Sequence, residues 1–363
     1  MENKEREKRI RWIIDMCVVL CFFACLISPA VVMIAGCEGP SMKELFEPKT
    51  VAASRSGGGG GIDSFRSNFK NSFGLRKPLI KLNAIIYVKC LGVSSNKNVL
   101  LGRDGWLFYV DEAVIERYRR TYLFSEEYLD AIYKNIERKR DFFKGRETTY
   151  IFLAIPDKIT IYPEYFPANQ NKVYEQSNFD QIVEHMRKNS NYPLIDLRPA
   201  LLERKKTGAV FYKTDTHWTP LGAYTGYVEL VKEIGLSFPG MEPMPLSDFN
   251  IIEIEKTDGD LARMLGLENS LLETTNDLVA LNQVEVARQS STMNGLTIRI
   301  TRCPDAKIPR AVIFHDSFML AMMPFLEKHF KTAVFVHTAE IDLGIIDRVK
   351  PNIVIMQMLE RNL

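Results

Sequence analysis

Apolar residues follow three rhythms along this chain. The first is an unbroken run, MCVVLCFFACLISPAVVMIAG at 16–36, which passes 21 residues without a charge. A helix needs about 20 apolar residues to cross a bilayer, so this run predicts a membrane-spanning helix. The second rhythm, helical spacing, is expected over 125–144, near 175–189 and from about 220 to 235. The third is a set of short apolar runs: TTYIFLAIP (148–156), PLIDL (193–197), AVFY (209–212), RAVIFHDSF (310–318), TAVFV (332–336) and NIVIMQ (352–357). Runs that are apolar on both faces and alternate with helices predict an α/β architecture with a parallel sheet covered on each side. NVLLGRDGWLFYV (98–110) reads as a hairpin turning at RDG, residues 64–92 carry helical spacing, and 236–309 reads as irregular.

The ends and linkers divide the chain further. MENKEREKRIR precedes the long apolar run, and basic residues there hold the N-terminus in the cytoplasm. Residues 1–37 are thus expected to be a basic stub and signal anchor, 38–63 a glycine-rich linker, and 64–363 the working domain. IAGC ending at Cys37 also has the form of a lipobox, which would anchor a cut chain by lipid instead. Either reading places the domain on the periplasmic or extracellular side of the inner membrane.

Composition narrows the function classes. Apolar residues make up 46% and charged ones 25%, ordinary values for a globular chain. A net charge of +2, with no basic stripe interleaved with aromatics, excludes a nucleic-acid binder. Cys17, Cys21 and Cys25 fall in the apolar run; Cys90 and Cys303 alone remain to pair in an oxidising compartment. No Cys/His spacing suits zinc, and no metal or organic cofactor is expected.

Two motifs carry candidate chemistry, each read at the carboxyl end of a strand, where parallel sheets place their sites. In FYKTDTHWTPLGAY (211–224), Thr219–Pro220 is a strong helix start. An extended 215–217 would set Asp215 and His217 on one side, and the helix field would keep His217 neutral as a base. The same pair at an ordinary turn would merely bond backbone groups. In AVIFHDSFMLAMM (311–323), Ser317 stands where strand becomes helix, near amides able to hold an oxyanion; Asp316 and Ser317 also suit plain N-caps. His315 reads as structural, and His329 as a charged imidazole at a helix C-terminus.

VLLGRDGWLFY, IPDKITIYPEYFP, FYKTDTHWTPLGAY, GDLARMLGL, VIFHDSFMLAMMPFLEKHF and PNIVIMQMLERNL stand in this order. Together they resemble the alginate O-acetyltransferase-like proteins of bacterial exopolysaccharide acetylation, from about residue 66 to the C-terminus. The resemblance implies an SGNH-hydrolase-like three-layer fold and a Ser–His–Asp site of Ser317, His217 and Asp215. It marks Lys158, Glu360 and Arg361 as recurrent positions, so Lys158, Trp218 and Arg361 are expected to support structure or substrate. It further implies a polysaccharide acceptor and a membrane-bound O-acyltransferase partner as acetyl source. Two departures stand out: 38–63 lacks the ENR stretch of relatives, and no carbohydrate-binding domain is visible before Leu363. Three functions remain open from the sequence: O-acetyl transfer, acetyl-ester hydrolysis by the same residues, and a non-catalytic scaffold.

Overall fold

A computed structural model describes residues 12, 16, 17, 19, 20, 23 and 27, then 76–363 except 168–170, 191–193, 283 and 294. The expected membrane span, Cys37 and the glycine-rich linker lie wholly or mostly outside these residues. Among the described residues, no helix is long and apolar enough to cross a membrane. The chain divides into two units, Met1–Leu91 and Gly92–Leu363. In the first, the helix Arg76–Ile85 runs into a wider π-helical turn, Ile86–Cys90.

The second unit begins with the expected hairpin: β1 (Val99–Leu101) pairs antiparallel with β2 (Leu107–Tyr109) around Arg103–Gly105. Asp104 and Gly105 both take positive φ at this turn, a conformation cheap for glycine and tolerable for aspartate. Further on come β3 (Thr149–Ile155), β4 (Ile195–Asp196), β5 (Phe249–Lys256), β6 (Glu273–Ala280), β7 (Ala287–Met293), β8 (Leu296–Arg302), β9 (Ile308–His315), β10 (Phe330–His337) and β11 (Ile353–Leu359). The main sheet runs β4-β3-β11-β9-β10-β8-β7. Its pairs from β4 to β10 are parallel, whereas β8 and β7 join antiparallel at one edge.

The apolar runs divide between two cores by the period of a strand. Ile151, Leu153 and Ile155 face one core with Ile313 and Ile355, and Phe152 and Ala154 face the other with Val312 and Val354. The helices Pro220–Ser237 and Met319–Leu326 cover the first face; Glu126–Lys144, Asn178–Asn189 and Leu343–Val349 cover the second. This is a three-layer α/β fold with a mostly parallel sheet.

Two expectations need correction. The stretch read as irregular, 236–309, holds β5 to β8, and β5 and β6 form a separate antiparallel ribbon. Its strands are polar on at least one face, as in ARQSSTM of β7, so they give no continuous apolar run. AVFY is not a sheet strand: Phe211 makes a single antiparallel bridge to Trp218, closing a loop. The question of Cys90 and Cys303, open from the sequence, is answered by two free thiols, Cys90 exposed and Cys303 buried.

Candidate active site

The 211–218 loop owes its shape to buried charges, not to a ladder. Lys158, on the short helix Lys158–Ile161 after β3, is 4% exposed. Its Nζ donates to the carbonyls of Tyr212 (3.0 Å), Lys213 (3.2 Å) and Asp215 (2.8 Å). Three acceptors use all three hydrogens of an ammonium. Burial pulls the Lys158 pKa down to about 7 against the upward pull of Glu273, Asp215 and Asp260. From the other side, the Glu273 carboxylate accepts from the Lys213 amide, and from the Thr214 amide (3.1 Å) and hydroxyl (2.6 Å). One cation and one anion thus satisfy backbone groups that a strand would have paired.

A second loop closes over the first at Gly259. A Cβ there would fall 2.3 Å from the Thr214 carbonyl oxygen, so glycine is required for this approach. The approach brings in Asp260, whose Oδ1 accepts from the Thr216 amide at 2.7 Å and whose Oδ2 accepts from the Thr216 hydroxyl.

Within this frame Asp215, His217 and Ser317 form a hydrogen-bonded line. His217 Nδ1 lies 2.7 Å from Asp215 Oδ1, and Nε2 lies 2.8 Å from Ser317 Oγ. Asp215 Oδ1 also accepts from the His217 amide (3.0 Å), and Oδ2 takes the Asp260 amide (3.3 Å). The turn reading and the acid–base reading of the motif therefore describe the same atoms. The segment is bent, not extended: Asp215 reaches His217 as a carboxylate bonding two residues on. Asp215 is buried, while His217 and Ser317 are partly exposed, so the reactive end of the line is the open end.

Electrostatics reverses the expected direction of the His217 pKa. Burial lowers its pKa, but the hydrogen bond and charge of Asp215, then the charges of Asp260 and Asp316, outweigh burial and raise it. These carboxylates, one in contact and one 3.5 Å from Nδ1, act at closer range than the field of a helix that starts at Pro220. Asp215 moves oppositely: burial works to raise it, but its bonds to His217 and the charges of His217 and Lys256 hold it well below the usual carboxylate range. Asp215, His217 and Asp260 also have the compactness of a metal-binding group. The 2.7 Å Nδ1–Oδ1 separation is that of a hydrogen bond, and Thr216 engages both Asp260 oxygens. The cluster is organised around a proton.

Ser317 follows β9, and the helix Met319–Leu326 starts just beyond it. Of the amides near Ser317, that of Phe318 donates to Asp316 Oδ1 at 2.9 Å. Ser317 itself is not an N-cap; that position is Phe318, with no side-chain bond. Trp218 is fully buried and its Nε1 donates to the Phe318 carbonyl at 3.0 Å, tying the base loop to the nucleophile turn.

The remaining candidates find partners within the protein. Arg361 pairs with Asp157 through Nε at 2.7 Å, and Glu360 accepts from the Asp157 amide and the Thr160 hydroxyl, each at 2.8 Å. This network anchors the residues flanking Lys158. His315 is buried, stacked 5.5 Å from His337, with its Nδ1 2.6 Å from the Asp316 carbonyl. His329 is not a charged helix end: it meets the Tyr227 hydroxyl at 2.6 Å, and burial takes its pKa down to about 4. Sequence reasoning missed Asp260 and Glu273 as parts of the site. GDLARMLGL was the available signal for Asp260; Glu273 had none.

Comparison with known proteins agrees with this architecture. The model of the SGNH hydrolase-like domain of the acetyltransferase AlgX matches residues 99–301, more than half of the chain. That stretch includes Asp215, His217 and Asp260 and ends before Ser317. A protein of Pseudomonas aeruginosa named "Probable alginate O-acetylase AlgJ" is 31% identical over 139 residues, 38% of this chain and 33% of that one. Its namesake in Pseudomonas fluorescens is 30% identical over 179 residues, 47% of this chain and 42% of that one. The chain thus spans about a third to two-fifths of the length of these curated relatives. The structure of Bacillus cereus PatB1 superposes with a TM-score of 0.52 at 16% identity, over 73% of this chain and 96% of that one, a likeness of fold. The chain belongs to the AlgX/AlgJ family of SGNH hydrolase-like acetyltransferases.

Proposed function

We propose that the protein transfers acetyl groups to hydroxyls of a polysaccharide on the outer side of the cytoplasmic membrane, through an acetyl-serine at Ser317. The observation that carries this reading is the continuous line from Ser317 Oγ through His217 to Asp215, at 2.8 Å and 2.7 Å. His217 Nε2 takes the Ser317 proton as Oγ bonds to the acetyl carbonyl carbon, and returns it to the departing donor group. In the second half Nε2 takes the proton of a sugar hydroxyl, whose oxygen displaces Ser317, and the serine recovers the proton. Asp215 fixes the ring so that Nδ1 holds its hydrogen and Nε2 stays the reactive nitrogen. The Phe318 amide is committed to Asp316 and is not free to hold the developing oxyanion. The acetyl source would be a membrane-bound acyltransferase, in keeping with the membrane anchor expected from residues 16–36.

Incubation with an activated acetyl ester followed by intact-mass and peptide analysis should show a single 42-dalton adduct on the Ser317 peptide. Acceptor oligosaccharide should discharge it as acetylated sugar. Acetate alone would make the protein an esterase; an unlabelled Ser317 would sink the nucleophile assignment.

Asp260 is a positioning residue in this scheme, acting on His217. Because the neutral imidazole is the base, activity rises as pH passes the elevated His217 pKa. Asp260→Asn removes one of the charges that elevate it, so the acidic limb of the kcat/KM profile should move to lower pH. A purely structural role would lower activity at every pH without moving the limb.

A further inference from the structure

The ribbon of β5 and β6 stands apart from the main sheet, and the end where its strands are joined meets the catalytic loop. There Lys256, the last residue of β5, pairs directly with Glu273, the first of β6. Residues directly opposed in a ribbon put their side chains on one face, so both reach toward the loop. Glu273 takes the Lys213 and Thr214 amides, whereas Lys256 goes on to the catalytic aspartate. Its Nζ lies 3.6 Å from Asp215 Oδ2, donates to Asp258 Oδ1 at 2.8 Å, and stands 4.7 Å from the Tyr212 ring centroid. The Asp258 side chain is 70% exposed and that of Asp215 only 10%, so water screens the first pair far more than the second.

The two oxygens of Asp215 thus have separate duties: Oδ1 serves His217, and Oδ2 meets Lys256 and the Asp260 amide. The charges around this line are mostly acidic. Asp260 and Asp316 act on His217, and Asp258 and Glu273 act on Lys256, while Lys158 reaches the loop through the Asp215 carbonyl. The two lysines differ in how firmly they hold charge. Burial brings the Lys158 pKa down to about 7, near neutrality. Burial works to lower that of Lys256 as well, but the bond to Asp258 and the charges of Asp215, Asp258 and Glu273 raise it above its ordinary value. Lys256 is therefore the cation beside Asp215 that persists across the neutral range.

We infer that Lys256 is a positioning residue of the acetyl-transfer site, one that holds Asp215 Oδ2 from the ribbon and opposes Asp260 in fixing the pH at which His217 works. An ammonium on the far side of Asp215 disfavours a second proton on the imidazole, and a carboxylate beside the imidazole favours one. Asp260 is that carboxylate, 3.5 Å from Nδ1. Lys256 and Asp260 lie four residues apart, so one short stretch supplies both opposing charges. The effect on acetyl transfer rests on the acetyl-serine reading above; the effect on the imidazole does not.

The test is an NMR titration of the full chain labelled at its five histidines, the His217 ring signal being the one lost in His217→Gln. Lys256→Met should raise the midpoint of that signal by about half a pH unit or more, and Asp260→Asn should lower it. The acidic limb of kcat/KM for an activated acetyl ester should move with the midpoint. One pH unit below the parent's midpoint, Lys256→Met should therefore be about threefold slower. Lys256→Arg keeps the charge and should keep the midpoint of the parent, and the double variant Lys256→Met, Asp260→Asn should fall between the two singles. Lys256→Gln, which retains a donor for Asp258, carries the same expectation should Lys256→Met not fold. A midpoint unmoved by loss of the charge, or moved equally by Lys256→Arg, would overturn the inference. A lower Tm with an unmoved midpoint would assign Lys256 to the fold alone. If the midpoints move as expected while Ser317 takes no acetyl group, the nucleophile assignment fails and the role of Lys256 toward His217 stands.

Discussion

Ser317→Ala should lower acetyl transfer to an oligosaccharide by about four to six orders of magnitude, the scale seen when a triad nucleophile is removed. The change deletes one oxygen on a partly exposed turn, and the backbone ties of that turn are made by other atoms. Phe318 still donates to Asp316, Trp218 still donates to the Phe318 carbonyl, and the Leu320 amide still bonds the Ser317 carbonyl at 3.2 Å. Tm should therefore stay within about a degree of the parent, since a surface change away from such contacts is worth about 0.5 kcal/mol or less. Release of acetylated product, followed by mass spectrometry, is the measurement. An active variant would overturn the assignment of Ser317 as the nucleophile.

Lys158→Met tests the other end of the site and should act through the fold. Methionine keeps much of the volume but leaves three carbonyls without a donor and removes one of the cations, with Lys256, that act on buried Glu273. Leaving buried acceptors without a donor costs about 1–3 kcal/mol for each one stranded, so Tm should fall by several degrees. Activity should fall with it, because Asp215 hangs from one of the three bonds. Adding Glu273→Gln should recover part of the lost stability, since the second change removes a buried charge that Lys158 no longer offsets. If the double variant is merely the sum of the two singles, Lys158 and Glu273 act independently and the account of the loop is wrong.

What the sequence revealed and what it hid divide by physical cause. β3, β9, β10 and β11 were legible because both faces of each are buried, so their apolar runs are unbroken. β7 and β8 sit at the sheet edge, and β5 and β6 form a ribbon with exposed Ile251, Ile252 and Val279, so neither pair shows a core-like run. The Asp215–His217–Ser317 line was legible from local chemistry at two junctions and from the order of blocks. The loop that carries Asp215 was mistaken for a strand end because AVFY is an apolar run like one, although buried Lys158 and Glu273 replace the neighbouring strand. The His217 proton affinity was misjudged for a related reason. A local helix start is visible in sequence, but Asp260, 43 positions on, becomes a neighbour only through the close approach at Gly259.

The strand order has a consequence for how this protein comes into being. β9 and β11 occupy the middle of the sheet, but they are among the last strands to be made. Until they arrive, β3 has no partner on its inner side and both cores lack their centre. A nascent chain that already contains the aspartate and the histidine is thus a collection of helices and ribbons with nothing to close around. The hydrogen bond between His217 and Ser317 spans 100 residues and forms only when the final strands slot in. Reactivity is therefore born last, as a property of the completed fold, and a chain halted before its end carries the base but no working nucleophile.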